Sequence, residues 1–426
     1  MDKIVVKHSR IEINNYTLGD CPRLEYIFSV YDPIRHSSFI KAMEYDQKSK
    51  KLIIPRGLDV DYIAKLFFAE PKVDYDADEY INTAPIPIKY LARDERQIEM
   101  IKFILGKDKY KYTKTKSQLS INAATGVGKT FVTVGSICIT GSRAIIITSS
   151  LNWLEQWREK ILEYTTLEDK RIYQISGSSS INKLLCRDPL EYQIFLISHS
   201  TIKSYGDKNG WNKVDELFKY MKCSMKIYDE AHLYFDNMCR MDFHSNIKKT
   251  LYLTATPARS DSKENEIYKL YFKNIPSISL FDDEIDPHVN YVAIHYNSHP
   301  RPIEIQSCIN QYGFDRNKYV RYITNNPWFY KLVIILIDMV INMNGKSLIY
   351  IGTNDGINTV YNIILKEFPF MERYIGIYTS LTDKETKEQN LYKKIILSTT
   401  KSCGAASDIY DLMITINLWL VNLLHL

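Results

Sequence analysis

The sequence lacks any apolar run that is long enough to span a membrane. Its most apolar stretch, residues 328–343, is interrupted by Lys331 and Asp338, whereas a transmembrane helix needs about 20 apolar residues in succession. Residues 1–10 carry charges throughout and have no apolar segment of the kind that secretory signals contain. We therefore expect no membrane partner, and we predict that residues 327–343 form a packed helix.

Cysteine spacings typical of a metal site or a disulfide framework are also missing. The seven cysteines form no C-x2-C pair and no ligand cluster with the nine histidines. This disfavours structural zinc and disulfides, so a reducing cytoplasm is the expected compartment. The 32 tyrosines, together with many Ile, Lys and Asn residues, are typical of an AT-rich genome and favour a phage or viral protein in the host cytoplasm.

The chain has only a small excess of positive charge. A formal net charge of +5 argues against a wholly basic surface that coats nucleic acid, so any nucleic-acid contact must use a local cleft. With 426 residues, 45% hydrophobic and 25% charged, the chain has the composition of a globular protein and is long enough for two or three domains.

A phosphate-binding loop stands out among the features that are present. Residues 123–130 fit the pattern A/G-x4-G-K-S/T, between a short apolar strand and a helical stretch. The glycines let backbone N–H groups point at phosphate oxygens, while Lys129 can reach the β and γ phosphates and Thr130 can bind Mg2+. The predicted nucleotide-binding residues of this loop are Ala124, Thr125, Gly126, Val127, Gly128, Lys129 and Thr130. The alternative is an ordinary glycine-containing turn.

Two adjacent carboxylates follow a second apolar run. Residues 225–228 end on Asp229 and Glu230, which predicts carboxylates at the end of a strand. Asp229 suits a Mg2+ ligand, and Glu230 can orient and deprotonate an attacking water, so both are predicted catalytic residues together with Lys129. An isolated Asp-Glu pair is usually a solvated turn, but the phosphate loop upstream and His232 downstream favour catalysis.

Three motifs in this order resemble motifs I, II and III of superfamily 2 helicases and translocases. They are Ala-x-x-Gly-x-Gly-Lys-Thr, Asp-Glu-Ala-His and Thr-Ala-Thr-Pro. The resemblance implies ATP and Mg2+ as cofactors. It also implies that Gln97 reads the adenine edge and that His232 contacts the nucleotide site. In such proteins the histidine couples that site to a segment that here consists of Thr254, Ala255 and Thr256.

Further segments match the same family in the same order. Residues 148–151, 198–201 and 348–354 resemble loops that contact the nucleic-acid strand, and residues 398–409 resemble motif V with its second glycine and its leucine replaced. The resemblance implies that Asp408 contributes to the nucleotide site. The implied DNA-binding residues are Thr148, Ser149, Ser200, Thr201, Thr353 and Gly404.

Alternating apolar strands and amphipathic helices predict an α/β fold. We expect two tandem RecA-like domains with doubly wound parallel sheets at residues 81–285 and 286–426, preceded by a small α+β N-terminal domain at residues 1–80. That domain, with strands that include residues 26–30 and a helix at 61–68, resembles the N-terminal domain of phage UvsW-type helicases. Its basic residues either contact duplex DNA or form a solvated face; they are Lys41, Lys48, Lys50, Lys51 and Arg56.

The second RecA-like domain is expected to be incomplete at its carboxyl end. Superfamily 2 motors normally have a Gln-x-x-Gly-Arg-x-x-Arg segment after motif V, and no arginine follows Arg373 in this sequence. Because such an arginine contributes on the order of 10^3 to 10^5 in rate, we expect this chain to hydrolyse ATP slowly.

The favoured function is an ATP-dependent DNA helicase or translocase that acts on branched, forked or single-stranded DNA, with replication or recombination proteins as partners. Two alternatives stay open. One is an RNA helicase or transcript-release translocase, which no RRM, KH or double-stranded-RNA-binding signature supports but which the motor motifs do not exclude. The other is a nucleic-acid-binding protein with little or no ATPase activity.

Overall fold

The chain divides into two compact units, Met1–Asp286 and Pro287–Leu426. The computed structural model describes residues 3–32, 37–40, 42–74, 76–124, 126–255, 262–280, 292, 294, 301–310, 313–399, 402–403 and 409–418. The first unit contains both the phosphate loop and the carboxylates.

The first unit contains a small N-terminal sheet and a large parallel sheet. Its described strands are β1 (Ile4–Val6), β2 (Arg10–Asn14), β3 (Ser29–Asp32), β4 (Ser37–Ile40), β5 (Glu44–Asp46), β6 (Lys51–Pro55), β7 (Pro71–Val73), β8 (Gln118–Ala123), β9 (Ala144–Thr148), β10 (Ile172–Ile175), β11 (Ile194–Ser198), β12 (Met225–Tyr228), β13 (Lys249–Thr254) and β14 (Ser277–Leu280). Its described helices are α1 (Pro22–Ile27), α2 (Val60–Phe67), α3 (Glu95–Leu105), α4 (Lys129–Thr140), α5 (Leu151–Tyr164), α6 (Ser178–Leu185), α7 (His199–Asn209), α8 (Trp211–Met221), α9 (Phe235–Phe243) and α10 (Ser262–Phe272).

The large sheet has the strand order β10-β11-β9-β12-β13-β8-β14, and all of its neighbouring strands are parallel. Continuous apolar runs such as β9 are typical of parallel strands that are covered on both faces, and every residue of β9 is buried. The order places β13 between β8 and β12. The carboxyl ends of the phosphate-loop strand, the carboxylate strand and the Thr254 strand therefore lie side by side, as the predicted α/β fold requires.

Two hydrophobic clusters cover the two faces of this sheet. Along β9, Ile145 and Ile147 belong to one cluster, while Ile146 belongs to the other, because successive strand residues point to opposite faces. The cluster of Ile145 also contains Ile4 and Ile13 of the N-terminal sheet. The N-terminal sheet thus shares a core with one face of the large sheet.

The N-terminal sheet has the strand order β5-β6-β2-β1-β7, and it is antiparallel except for the β1–β7 pair. Polar contacts add to its apolar attachment. Ser9 Oγ donates to the backbone oxygen of Asp242 at 2.8 Å, and an Arg10 guanidinium nitrogen donates to the Ser245 oxygen at 2.8 Å. Residues 8–10 therefore hold the end of α9 in place.

A buried charged cluster lies where α9 packs behind β12 and β13. Lys226 Nζ donates to Asp242 Oδ1 at 2.6 Å, and both side chains are fully buried. The Tyr228 hydroxyl donates to the same oxygen at 2.8 Å. The hydroxyl groups of Tyr252 and Tyr271 donate to the other carboxylate oxygen of Asp242, Oδ2, and the Tyr252 hydrogen bond is 2.5 Å long. One carboxylate thus connects two adjacent strands and two helices.

The predicted strand at residues 26–30 is wrong in its first part. The chain forms α1 over Pro22–Ile27, and β3 begins at Ser29. Pro22 occupies the first helical position, where its fixed φ favours a helix. Leu24 and Phe28 are both buried, one helical turn apart on the face that α1 packs inwards.

The second unit is built around a four-stranded parallel sheet with the order β18-β19-β17-β20. Its described strands are β15 (Ile309–Asn310), β16 (Gly313–Phe314), β17 (Lys346–Tyr350), β18 (Ile375–Tyr378), β19 (Ile395–Ser398) and β20 (Leu412–Asn417). Its described helices are α11 (Pro302–Ser307), α12 (Arg316–Thr324), α13 (Pro327–Asn342), α14 (Asn354–Glu367) and α15 (Lys384–Asn390).

The helix predicted at residues 327–343 is confirmed as α13. It spans 16 residues and buries Phe329, Val333 and Ile337 along one face. Among the helices that the structure describes, none combines the length and the apolar character that crossing a membrane requires.

Candidate nucleotide site and nucleic-acid loops

The phosphate loop connects the end of β8 at Ala123 to the start of α4 at Lys129. Gly126 and Gly128 have φ values of 81° and 101°, in the left-handed region that favours glycine. A Cβ atom at Gly128 would lie 2.1 Å from Gln97 Nε2, so a larger residue could not stand there without displacing Gln97. The loop therefore forms a narrow backbone cradle at a helix N-terminus, where an anion is favoured. Thr125 lies outside the described residues.

Lys129 points back into this cradle. Its Nζ donates to the backbone oxygens of Ala123 at 2.7 Å and Ala124 at 3.1 Å. Burial lowers the pKa of Lys129, and the charges of Glu230 and Asp229 oppose that shift. The ammonium group is thus held between the loop and the carboxylates, where a phosphate would be bound.

Gln97 braces the loop from α3. Its Nε2 donates to the Val127 oxygen at 3.1 Å, and its Oε1 accepts from the Arg93 backbone N–H at 2.8 Å. The Arg93 guanidinium in turn donates to the Gly126 oxygen at 3.2 Å. Both ends of the Gln97 amide are therefore engaged by backbone groups, and its reading of an adenine edge stays a prediction. The bracing role of Arg93 has no signal in the sequence.

Asp229 lies directly after β12 and is held by two donors. Trp157 Nε1 donates to Oδ2 at 2.7 Å, and the Glu230 backbone N–H donates to Oδ1 at 3.1 Å. Burial raises the pKa of Asp229 to about 6, and the Trp157 hydrogen bond and the charge of Lys129 oppose the rise. A divalent cation would favour the charged carboxylate further. No pattern in the sequence signals this role of Trp157.

Glu230 and His232 connect the carboxylate loop to β13. Glu230 has a φ of 48°, and its Oε2 is buried without a hydrogen bond from the described part of the chain. His232 Nδ1 lies 3.3 Å from that oxygen and shares a hydrogen bond of 2.9 Å with Thr254 Oγ1. Ala255 follows as a bend, and Thr256 lies outside the described residues. The candidate coupling residues His232 and Thr254 are thus in direct contact.

The candidate strand-contacting loops leave β9 and β11, which are neighbours with Ser198 opposite Thr148. Thr148 is fully buried, and its hydroxyl donates to the Ser150 oxygen at 3.1 Å, so it supports the loop from inside. Ser198 Oγ accepts from the Thr201 backbone N–H at 3.2 Å. Ser200, by contrast, is exposed, Ser149 is partly exposed, and Thr201 is mostly buried.

His199 forms an aromatic stack that no local pattern in the sequence indicates. Its ring stacks on Tyr234 at 4.9 Å and on Tyr228 at 6.0 Å between centroids. Burial lowers the pKa of His199 to about 3, so the ring is neutral. Asn237 Nδ2 donates to the His199 backbone oxygen at 2.7 Å. The first turn of α7, which carries Ser200, therefore packs directly on residues that flank the carboxylate pair.

In the second unit, Thr353 caps α14 by accepting a hydrogen bond from the Gly356 backbone N–H at 3.0 Å. Gly404 and Asp408, for which the resemblance implies DNA and nucleotide contact, lie outside the described residues.

The residues of the first unit fit a nucleoside triphosphate with Mg2+. The glycine cradle leaves room for phosphate oxygens, Lys129 supplies a positive charge, and Asp229 supplies a carboxylate. The buried Oε2 of Glu230, which accepts no hydrogen bond within the described residues, suits the proton of a bound water.

The described residues of motifs I and II and Thr254 of motif III meet at one edge of a doubly wound parallel sheet, which is the arrangement that the resemblance to superfamily 2 helicases implies. The family comparison agrees with this, because residues 91–259 match the family described as "Type III restriction enzyme, res subunit". The resemblance seen in the sequence is confirmed, and the chain carries a superfamily 2 helicase domain.

Two curated relatives that match part of this chain are named as DNA helicases. The "Putative DNA 3'-5' helicase Rad25" of Haloarcula marismortui is 25% identical over 224 residues, which are 50% of this chain and 34% of that protein. The "DNA 3'-5' helicase XPB" of Mycobacterium tuberculosis is 27% identical over 145 residues, which are 34% of this chain and 24% of that protein. The chain thus spans about a third or less of the length of these relatives.

Solved structures of helicases are similar at low identity. T4 UvsW has 13% identity and a TM-score of 0.41, and the alignment covers 99% of this chain and 85% of that one. The E. coli DExH-box NTPase HrpB has 11% identity and a TM-score of 0.48, with 77% of this chain and 36% of that one covered.

Proposed function

We propose that this protein is an ATP-dependent DNA helicase or translocase. The observation that carries the proposal is the hydrogen bond between His232 and Thr254. It connects the carboxylate loop to the strand beside the phosphate loop, so a change at the nucleotide can shift the end of β13. A protein in which the phosphate loop only stabilised the fold would have no use for this connection.

In the proposed reaction, the loop amides and Lys129 bind the triphosphate, and Thr130 and Asp229 are the residues that would hold Mg2+. The cation would neutralise negative charge on the transferring phosphoryl group. Glu230 orients a water molecule and accepts its proton through the oxygen that has no other hydrogen bond among the described residues. Lys129 maintains positive charge beside the phosphates throughout.

The loops at Ser149 and Ser200 bind one strand through its phosphates, so substrate choice depends on the form of the DNA rather than on its sequence. The stack of His199 on Tyr228 and Tyr234 connects the strand-binding residue Ser200 to the segment that carries the carboxylates. Strand binding and hydrolysis are coupled through these rings and through His232.

DNA is favoured over RNA because the curated relatives that match are named as DNA helicases. We further propose branched, forked or single-stranded DNA as the substrate, replication or recombination proteins as partners, and a phage or viral role in the host cytoplasm. The second candidate is an RNA helicase or transcript-release translocase, since backbone contacts of this kind occur on either nucleic acid. A nucleic-acid-binding protein with little or no ATPase activity is the third candidate.

ATP hydrolysis measured with forked DNA, linear duplex DNA and single-stranded RNA separates these candidates. The proposal expects the strongest stimulation by forked DNA. Stimulation by RNA alone would favour the second candidate. Nucleic-acid binding with no hydrolysis under any condition would contradict a motor.

A further inference from the structure

The loop between α3 and β8 holds much of the excess positive charge of this chain. Residues 107–116 contain five lysines and one aspartate, whereas the whole chain has a formal net charge of only +5. All five lysines are exposed. The loop precedes β8, whose six residues separate it from the phosphate loop by about 20 Å at 3.3 Å per residue. This charge therefore lies at the opposite edge of the sheet from the nucleotide site.

The backbone of this loop is fixed to the protein. Thr113 is fully buried, and its hydroxyl donates to the Phe103 oxygen at 2.6 Å. The rings of Phe103 and Tyr110 pack edge to face at 5.4 Å. Lys249 Nζ, at the start of β13, donates to the oxygens of Thr113 at 3.1 Å and Lys116 at 2.8 Å. The lysine side chains thus project from a loop that is anchored at several points.

Most of these lysines are not neutralised. Lys109 forms an ion pair with Glu99 at 2.5 Å. In the part of the chain that the structure describes, the other four, at 107, 111, 114 and 116, pair with no carboxylate. Concentrated exposed ammonium groups produce a positive potential that attracts a polyanion. Tyr112, which is 53% exposed, adds an aromatic ring to the same surface.

The N-terminal sheet extends this surface. Arg56 and Lys116 line a half-open cavity of about 310 Å³ together with Ser117. Asp59 and Asp61 also line it, and the Asp59 carboxylate accepts hydrogen bonds from the backbone N–H groups at the start of α2. Arg56 forms no ion pair within the described residues. Its guanidinium therefore continues the row of cationic groups that the loop begins.

We propose that residues 107–116 and Arg56 form a second DNA-binding surface, which binds the phosphate backbone of double-stranded DNA. This inference rests on the proposed action on DNA. Duplex DNA is the favoured ligand because it carries one charge per about 1.7 Å, twice the density of a single strand. Lysine ammonium groups bind it as point charges without reading bases. The surface would hold duplex DNA away from the loops that contact one strand.

The test compares the double variant Lys111→Gln/Lys114→Gln with the control Lys183→Gln/Lys208→Gln. The control lysines are also exposed and lie on α6 and α7. The affinity for a short blunt duplex and for one of its single strands is measured at several salt concentrations. Loss of two phosphate contacts should reduce the magnitude of the slope of log K against log salt by about 1.8 for the duplex. Raising the salt concentration from about 50 to 200 mM should therefore weaken duplex binding about 12-fold less in the variant than in the wild type.

The control variant should keep the wild-type slope, and both variants should keep the wild-type nucleotide affinity, which shows that they fold. A wild-type slope in the Lys111/Lys114 variant would overturn the surface while leaving the proposed function intact. A reduced slope for the single strand alone would overturn the assignment to duplex DNA. If the wild-type protein bound no DNA at any salt concentration, this inference and the proposed function would both fail.

Discussion

Substitution of the buried Asp242 is the change whose effect the structure defines most sharply. Asp242→Asn keeps the size of the side chain and removes its charge, which leaves the buried ammonium of Lys226 without its partner. A second pair provides a matched control. Lys219 and Asp215 also lie 2.6 Å apart, but on the surface, with 55% and 24% of their side chains exposed. Asp215→Asn removes the same charge at the same distance.

The expected loss of stability follows from burial. Breaking a buried ion pair destabilises a protein by about 3 to 5 kcal/mol, whereas an exposed pair contributes about 0 to 1 kcal/mol. Lys226 can also lose its proton. Starting from the ordinary lysine pKa, removing the proton at pH 7 costs about 4.6 kcal/mol. Because Lys226 can escape its unpaired charge in this way, that cost is an upper limit for the loss of stability that the charge causes. We therefore expect Asp242→Asn to destabilise the protein by about 3 to 4.6 kcal/mol at pH 7.

The sign of the pH dependence provides a second check. Burial lowers the pKa of Lys226, and the charge of Asp242 opposes that shift. Without Asp242 the pKa of Lys226 falls further, so across the assay range the deficit in unfolding free energy should be largest at pH 7 and should shrink as the pH rises towards the unfolded lysine value. Once Lys226 is deprotonated in the folded variant, each rise of one pH unit reduces the loss of stability by about 1.4 kcal/mol.

Thermal unfolding followed between pH 7 and 9.5 measures both effects. A loss of 3 kcal/mol should lower the unfolding midpoint of the first unit by about 6 to 12 °C, and the control should move it by about 4 °C or less. Equal shifts in the two variants, or an Asp242→Asn deficit that does not change with pH, would refute the reasoning from burial.

Three further predictions concern the nucleotide site. Lys129→Ala should abolish hydrolysis and weaken nucleotide binding because it removes positive charge beside the phosphates, whereas Glu230→Gln should bind nucleotide and not hydrolyse it; binding and turnover assays measure both. His199→Ala should reduce stimulation by DNA and spare basal hydrolysis, while His199→Phe, which keeps a stacking ring, should restore much of the stimulation. Trp157→Phe removes a hydrogen bond to a charged group, worth about 1.5 to 3 kcal/mol. It should raise the pKa of Asp229 and move the pH profile of Mg2+-dependent nucleotide binding upwards by about one to two pH units.

Each of these predictions has a contrary outcome. Nucleotide affinity that is unchanged by Lys129→Ala would reject the phosphate-loop assignment. Equal DNA stimulation in wild type and His199→Ala would show that the stack only fills space. For the tryptophan, Trp153→Phe on the same helix is the control, and identical pH profiles in both variants would mean that the indole N–H does not control Asp229.

The sequence by itself determined the contiguous parts of this protein. The strand at 225–228 is predicted to the residue, because buried parallel strands are short apolar runs that end at polar residues. The phosphate loop is equally local, since two glycines, Lys129 and the start of α4 are adjacent in the chain. The prediction is wrong in part at residues 26–30, because a short apolar segment there fits a helix that begins at Pro22 as well as it fits a strand.

Only the tertiary structure decided which distant residues meet. The strand order that puts β13 between β8 and β12 brings Thr254 to His232, and it depends on how whole strands pair rather than on any local pattern. Trp157 reaches Asp229, and His199 reaches Tyr228, across long stretches of chain. Asp242 has an ordinary sequence context, yet it holds four side chains because α9 packs behind two strands. These contacts follow from the packing of buried faces, which a single sequence does not specify pair by pair.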